Sequence, residues 1–308
     1  METHEELRPY LFAIAYRMIG SVTEAEDVVQ EAFLRYHAGG VEAHDPKAYL
    51  ATVTTRLAID HLRSARVRRE VYPGQWLPEP LVEDESARHA EAADSLSLAF
   101  LHVLEKLSPV ERAVFLLREV FDYPYPEIAE VVDKSPENCR QILSRAREHV
   151  REGRPRFDVS REQRDDVARR FLAAWEEGDT AGLVELLAAD AVVYGDGGGK
   201  APSTPLPLVG AQRVAKALIS WGRLAGKRGL THHPAQVNGE PGIVFRDADG
   251  RARWVSAFEI SGGVVIALRS VLNPDKLSRV PITSVPASTP PVAAPHRRPP
   301  PRRSRPRA

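Results

Sequence analysis

Between Pro136 and Arg147 the chain places Glu137, Asn138, Arg140, Gln141, Ser144, Arg145 and Arg147 on one side of a helical repeat, and Cys139, Ile142, Leu143 and Ala146 on the other. Guanidinium, amide and hydroxyl groups along one helical face can bond to base edges in a DNA major groove and to the phosphates beside it. Ser135 suits the cap of that helix and Pro136 its first position. Asp133-Lys134-Ser135 forms a tight turn after a short amphipathic helix, Tyr125 to Val132. Upstream, Ser108, Pro109 and Glu111 make a capped start for the apolar stripe Ala113 to Leu117. The unit reads as a helix-turn-helix whose second helix enters the groove. Taken alone, a two-helix turn also suits a structural bundle.

A second basic run spans Arg56 to Glu70, with five arginines against two acids. Arg56, Arg63, Arg66, Arg68 and Arg69 can hold phosphates, and Tyr49 can stack on an unpaired base. A solvated helix end is the plainer account of those arginines. Ser21 to Glu31 is the opposite, with four acids and no base. The formal net charge is zero, so the distribution matters more than the sum: basic faces can serve DNA while the acidic one serves a protein partner.

At 308 residues the chain is long enough for two or three domains, each with its own core. Residues 1–72 read as all-helical, with Leu7, Leu11, Ile14, Ala15 and Met18 at helical spacing before Gly20. Residues 73–95 read as a linker, in which Trp76, Leu77 and Leu81 are costly to expose, so it is expected to dock. Residues 96–152 form the second helical unit. Residues 158–278 begin with helices at Val167–Trp175 and Leu183–Leu187, and then give strands at 191–194, 242–245, 252–260 and 264–268. Asp249-Gly250 and Gly262-Gly263 fit hairpin turns between the last three. That pattern predicts an α+β unit with helices on one face of a curved, mainly antiparallel sheet. Residues 279–308, rich in proline and arginine, are expected to be a disordered basic tail that adds salt-sensitive DNA attraction.

The single cysteine, Cys139, excludes an internal disulfide and a thiolate metal cluster, and its stripe makes it a packed residue. No stretch approaches the roughly eighteen apolar residues of a membrane span. The acidic start, Met1 to Glu6, lacks the runs of a signal peptide, so a cytoplasmic protein is expected. No metal or cofactor is expected, and the free chain is expected to be monomeric.

Asp27-Val28-Val29-Gln30-Glu31-Ala32-Phe33-Leu34-Arg35 resembles the core-polymerase-binding helix of bacterial sigma factors of the extracytoplasmic-function group. Arg56 to Ser64 resembles the end of their promoter-melting and minus-ten-reading region, and Leu107 to Arg147 their minus-thirty-five-reading domain. Three further segments resemble marks of a subgroup with a fused C-terminal domain like the polyketide-cyclase (SnoaL-like) members of the NTF2-like fold. They are Trp76-Leu77-Pro78-Glu79-Pro80-Leu81, Asp196-Gly197-Gly198-Gly199-Lys200 and Asn273-Pro274-Asp275-Lys276-Leu277.

The resemblance implies two all-α DNA-binding domains followed by an α+β cone. It implies that Asp27, Gln30, Glu31 and Arg35 dock on the clamp of the polymerase beta-prime subunit. Tyr49, Arg56, Asp60, Arg63, Arg66, Arg68 and Arg69 would meet melted minus-ten DNA. Ser135, Glu137, Asn138, Arg140, Gln141, Ser144, Arg145 and Arg147 would meet duplex DNA at minus-thirty-five. It further implies that the third domain regulates activity through the three marked segments. RNA synthesis would belong to the polymerase, so no catalytic residue is expected in this chain.

The third domain leaves alternatives open. Glycines 197 to 199 permit a sharply bent loop. Asp196 with His232 or His233 would make an acid–base pair in a cavity, as in the cyclase-like relatives; otherwise Asp196 and Lys200 tie the loop to neighbouring domains and the histidines lie on a surface turn. Trp175, Trp221, Trp254 and Phe258 suit core or pocket wall, and a small ligand there is unidentified. Two rival functions stand beside the first: a helix-turn-helix regulator with a ligand-sensing domain, which leaves the acidic helix unexplained, and a cyclase-type enzyme with helical appendages.

Overall fold

The structure, a computed structural model, describes residues 4–38, 45–83, 97–153 and 159–282; of residues 4–5, 65–70, 83 and 152–153 it describes the backbone alone. Arg66, Arg68 and Arg69 therefore fall outside the described side chains, as do the rest of the linker and the tail beyond Ile282.

The first unit is a bundle of α1 (His4–Ile19), α2 (Val22–Ala38) and α3 (Pro46–Glu70). The stripe at Leu7, Leu11, Ile14, Ala15 and Met18 is buried against Val28, Val29, Ala32, Leu50, Ala58 and Ile59. Gly20, at φ +75°, ends α1. The chain then runs through the linker to β1 (Val82–Glu83).

The second unit is α4 (Leu98–Leu104), α5 (Pro109–Glu119), α6 (Tyr125–Val132) and α7 (Pro136–Gly153). Ser108 and Glu111 close the expected capping box at the start of α5. Asp133 ends α6 in the left-handed region, at φ 54°; a short carboxylate side chain tolerates that conformation better than most, and the turn it makes lets α7 start almost at once.

The third unit is α8 (Arg161–Glu177), α9 (Thr180–Leu186), β2 (Leu187–Asp196), β3 (Leu208–Val209), α10 (Ala211–Lys227), β4 (Thr231–Val237), β5 (Glu240–Arg246), β6 (Ala252–Ser261), β7 (Val264–Val271) and α11 (Pro274–Leu277). Its sheet runs β1-β4-β5-β6-β7-β2-β3. All pairs are antiparallel except β2 with β7, and α8, α9 and α10 pack on one face through Val167, Phe171, Leu183, Val214 and Leu218. The α+β expectation is met.

Four features depart from the sequence reading. The two helical units share one continuous core instead of owning one each, because α5 packs on both α1 and α3. Helix α10 was not foreseen; two glycines interrupt its pattern, and Gly222 is needed because a Cβ there would enter the Trp175 ring. His232 and His233 lie in β4, paired to Phe245 and Val244 of β5, and not on a turn. The first residues assigned to the tail are packed: Val280 is buried, Arg279 pairs with Glu26 at 3.1 Å, and the Pro281 carbonyl accepts from Arg246 at 2.7 Å.

Candidate nucleic-acid and protein interfaces

Burial of Cys139, Ile142, Leu143 and Ala146 against α5 and α6 turns the opposite face of α7 outward. Glu137, Asn138, Arg140, Gln141, Ser144, Arg145 and Arg147 are all exposed there. The Ser135 hydroxyl accepts from the Asn138 amide at 3.2 Å, so it serves as a cap. Two arginines are held in place: Arg140 lies 5.0 Å from the Tyr125 ring centre and 3.4 Å from Glu137, and Arg147 bonds Glu119 at 2.7 Å. The result is a mixed cationic and amide face that can present donors to base edges and phosphates.

On α3, Asp60 and Arg63 are exposed and paired at 3.0 Å. Tyr49 is half-buried, its ring 5.7 Å from that of Tyr36. Arg56 reaches across to the second unit. Its guanidinium donates to the carbonyls of Val131 at 3.1 Å and Glu130 at 2.7 Å, a cation on the negative end of α6.

On α2, Asp27, Gln30 and Arg35 are exposed, and Glu31 pairs with Arg35 at 2.8 Å. Positions 27, 30, 31 and 34 form a single stripe. Its apolar member, Leu34, is 56% exposed and was not marked as a site residue from sequence. An isolated exposed leucine needs no explanation; this one closes a stripe that is otherwise polar.

The three linker and loop motifs converge on one buried carboxylate. Asp196, wholly buried, accepts from the Tyr72 hydroxyl at 2.5 Å, the Leu77 amide at 2.8 Å and the Lys276 ammonium at 2.7 Å. Lys276 also donates to the Leu77 carbonyl at 2.5 Å and sits 4.0 Å from the Trp76 ring centre. Asn273 caps α11 and donates to the Tyr72 hydroxyl at 2.9 Å. Gly198, at φ +57°, leaves room for Asn273 and Tyr72 that a Cβ would fill, while Lys200 bonds Asp275 at 2.5 Å. Burial raises the Tyr72 hydroxyl pKa, and the Asp196 carboxylate raises it further. Leu77 is buried against Val237, Val244, Val255 and Leu277 on the outer face of the sheet. Pro78 and Pro80 are buried too.

Glu79 carries the linker onto the first unit. Its carboxylate accepts from the Ser21 hydroxyl and the Val22 amide, both at 2.8 Å, and from the Thr23 amide at 3.3 Å, so it caps α2 from 57 residues away in sequence. Tyr16 donates to the Glu79 carbonyl at 2.7 Å and accepts from Asn238 at 2.8 Å, joining the first unit to the β4–β5 turn. No local pattern signals these partners.

Neither histidine meets Asp196. His232 bonds Glu176 at 2.9 Å, with its ring edge-on to Trp175. Asp196 is instead the tie between loop and linker, the other option that the sequence left open.

The helical units are latched by more than Arg56. Arg112, on α5 and buried, donates to the Met18 carbonyl at 2.6 Å and to Glu105 at 2.8 Å, and burial lowers its pKa to about 9. The hydroxyls of Tyr10 and Tyr123 are 2.7 Å apart. His102 on α4 rests against Tyr194 of β2 at 5.3 Å between ring centres. Burial, aided by the Arg269 charge, lowers its pKa to about 4.

The family model of sigma-70 region 2 matches residues 3–68, and that of sigma-70 region 4 matches residues 97–150. The extracytoplasmic-function RNA polymerase sigma factor SigJ of Mycobacterium tuberculosis is 37% identical over 291 residues, covering 90% of this chain and 93% of that protein. SigI of the same organism is 34% identical over 284 residues, covering 88% and 92%. The crystal structure of Mycobacterium tuberculosis SigJ aligns with a TM-score of 0.75 at 35% identity, over 91% of this chain and 98% of that one. Since these likenesses run through the linker and the third unit as well as both helical units, the chain belongs to the extracytoplasmic-function RNA polymerase sigma factors.

Proposed function

We propose that this sigma factor directs core polymerase to particular promoters and helps to open them, and that the packed arrangement described above is its closed form. The observation that carries this reading is the engagement of Arg56, from the minus-ten segment, with the end of the helix that precedes α7. Elements centred about 25 base pairs apart are separated by about 85 Å of duplex, at 3.4 Å per step. Two helical units with a common core do not span that distance, so they must part for both elements to be read together.

The remaining assignments follow from surface chemistry. The α2 stripe offers carboxylates around Leu34 to a basic coiled coil of the polymerase clamp, with charge to steer and an apolar group to anchor. Arg63 with the basic end of α3 meets separated strands, and Arg140, Gln141, Ser144 and Arg145 meet the minus-thirty-five groove. Units 1–72, 96–152 and 158–278 move as bodies, with the 73–95 linker as the regulated joint. The free chain is a cytoplasmic monomer, and RNA synthesis is left to the polymerase.

Reconstituted transcription with core polymerase on a promoter library tests this reading. Full-length chain is expected to co-migrate with core and to initiate at a subset of promoters; failure to co-migrate overturns it. Lys276→Met is expected to change promoter output severalfold while core association persists. Unchanged output would remove the regulatory part. The intact chain is the right starting point, because a truncation after residue 200 would strip β2 of both its partner strands.

A further inference from the structure

The third unit holds a cavity of about 530 Å³, open to solvent along one side, a volume typical of small-molecule sites. Its walls are apolar and partly aromatic: Val193, Trp221, Leu224, Leu230, Trp254 and Leu272. Its charged lining residues are Lys200, Arg228 and Arg253, with no carboxylate and no histidine in the lining among the described residues. Lys200 is neutralised by Asp275 at 2.5 Å and Arg253 by Asp247 at 2.7 Å. Arg228, exposed at the end of α10, is paired with no carboxylate among the described residues. A lining with cations, one of them uncompensated, and no acids selects against cationic ligands and favours anionic ones.

The same wall touches the linker. The Thr204 carbonyl accepts from the Gln75 side chain at 3.0 Å. Gly195 lines the cavity and precedes Asp196; Pro274 and Leu277 line it on either side of Asp275 and Lys276. A molecule that fixes these residues acts directly on the groups that hold Tyr72 and Leu77.

We infer that this cavity binds a small amphipathic organic anion, an apolar or aromatic body carrying one carboxylate, with Arg228 as the anion's partner. Its occupancy is transmitted to the linker through residues 203–204 and α11. The inference rests on the third unit being the regulator of this sigma factor, and it names the chemical class of what that unit senses.

Calorimetric titration of the full-length chain with three matched probes tests it: 1-naphthoate, 1-naphthalenemethanol and 1-naphthylmethylamine. One-to-one binding of the anion is expected, with the neutral probe at least tenfold weaker and the cation without measurable binding. Arg228→Gln should remove the preference for the anion over the alcohol. Leu224→Trp, a change at a half-exposed position in the cavity wall, should abolish binding of both. Hydrogen exchange at residues 72–81 should change on adding 1-naphthoate. No saturable binding, equal affinity for the three probes, or binding indifferent to Leu224→Trp overturns the site. Binding without a change at 72–81 overturns the coupling. If the probes fail while the chain still binds core polymerase and initiates, only this inference falls; loss of core association would be the failure of the sigma-factor reading itself.

Discussion

The ion pair of Asp196 and Lys276 grips the linker at Leu77. Asp196 and Lys276 are both removed from water and both bonded to the backbone of Leu77, the carboxylate to its amide and the ammonium to its carbonyl. Breaking one member of such a pair leaves the other uncompensated, at a cost of about 3–5 kcal/mol. Asp196→Asn is therefore expected to destabilise the chain by about that much in urea unfolding, and to raise hydrogen exchange at residues 72–81. The double change Asp196→Asn with Lys276→Met should cost less than the sum of the singles, because each removes the other's partner. Both residues were marked by their motifs in the sequence. That they face each other was not legible, since they stand 80 positions apart with α10 and five strands between them.

At the scale of the element, the sequence pattern assigned faces well and partners poorly. The inner stripe of α7 is buried as its spacing demanded, and the outer stripe is exposed. Arg140→Ala should cost about 1–3 kcal/mol at a base pair it meets and relax selection there, whereas Arg151→Ala, at an exposed position in the last turn of α7 suited to a phosphate, should weaken binding evenly and lower the salt slope by about one phosphate contact. Binding to promoter variants at several salt concentrations separates the two outcomes. Leu34 is the exposed apolar member of the α2 stripe. Leu34→Glu is expected to lower core-polymerase affinity by about tenfold or more, with the melting temperature within a degree or two, since an exposed position changes stability by about 0.5 kcal/mol or less. Native gel mobility with core polymerase and a thermal melt check both halves. The engagement of Arg56 with the end of α6 was invisible in sequence: an exposed basic position on a helix carries no sign that another helix will end beside it.

For the whole molecule, the sheet is the decisive element, because both of its faces are covered. Antiparallel sheets commonly keep one face wet, yet β5 is buried throughout. Helices α8, α9 and α10 cover one side, while Leu77 of the linker and Leu98 of α4 join the cluster on the other. The sequence held a trace of this in Trp254-Val255-Ser256-Ala257-Phe258, where apolar groups fall on both faces. Closure also makes the molecule sensitive to pH through His102. Its pKa is about 4 when packed against an ordinary 6.5, so between those values the opened or unfolded chain binds a proton that the closed chain does not. Stability of the closed form must then fall as pH drops through that window, with the full loss below it. Glu79 acts in the other direction nearer the carboxylate range, because burial raises its pKa in the docked state. Comparing His102→Gln with the parent chain isolates the histidine: the parent should lose more stability between pH 7 and pH 5 in urea unfolding, and equal slopes would contradict the assignment.

Local rules were enough to specify the capped helices, the helix-turn-helix, the hairpin glycines and the burial of Cys139, because each depends on residues a few positions apart and on a fixed repeat. The family was readable for a related reason, as its motifs lie on continuous helices. Only the tertiary structure decided that the two helical units share a core, that Glu79 caps a helix 57 residues upstream, and that Asp196 binds the linker instead of a histidine. Those contacts depend on how apolar faces meet over long chain separations, and a face records that it must be covered without recording by what.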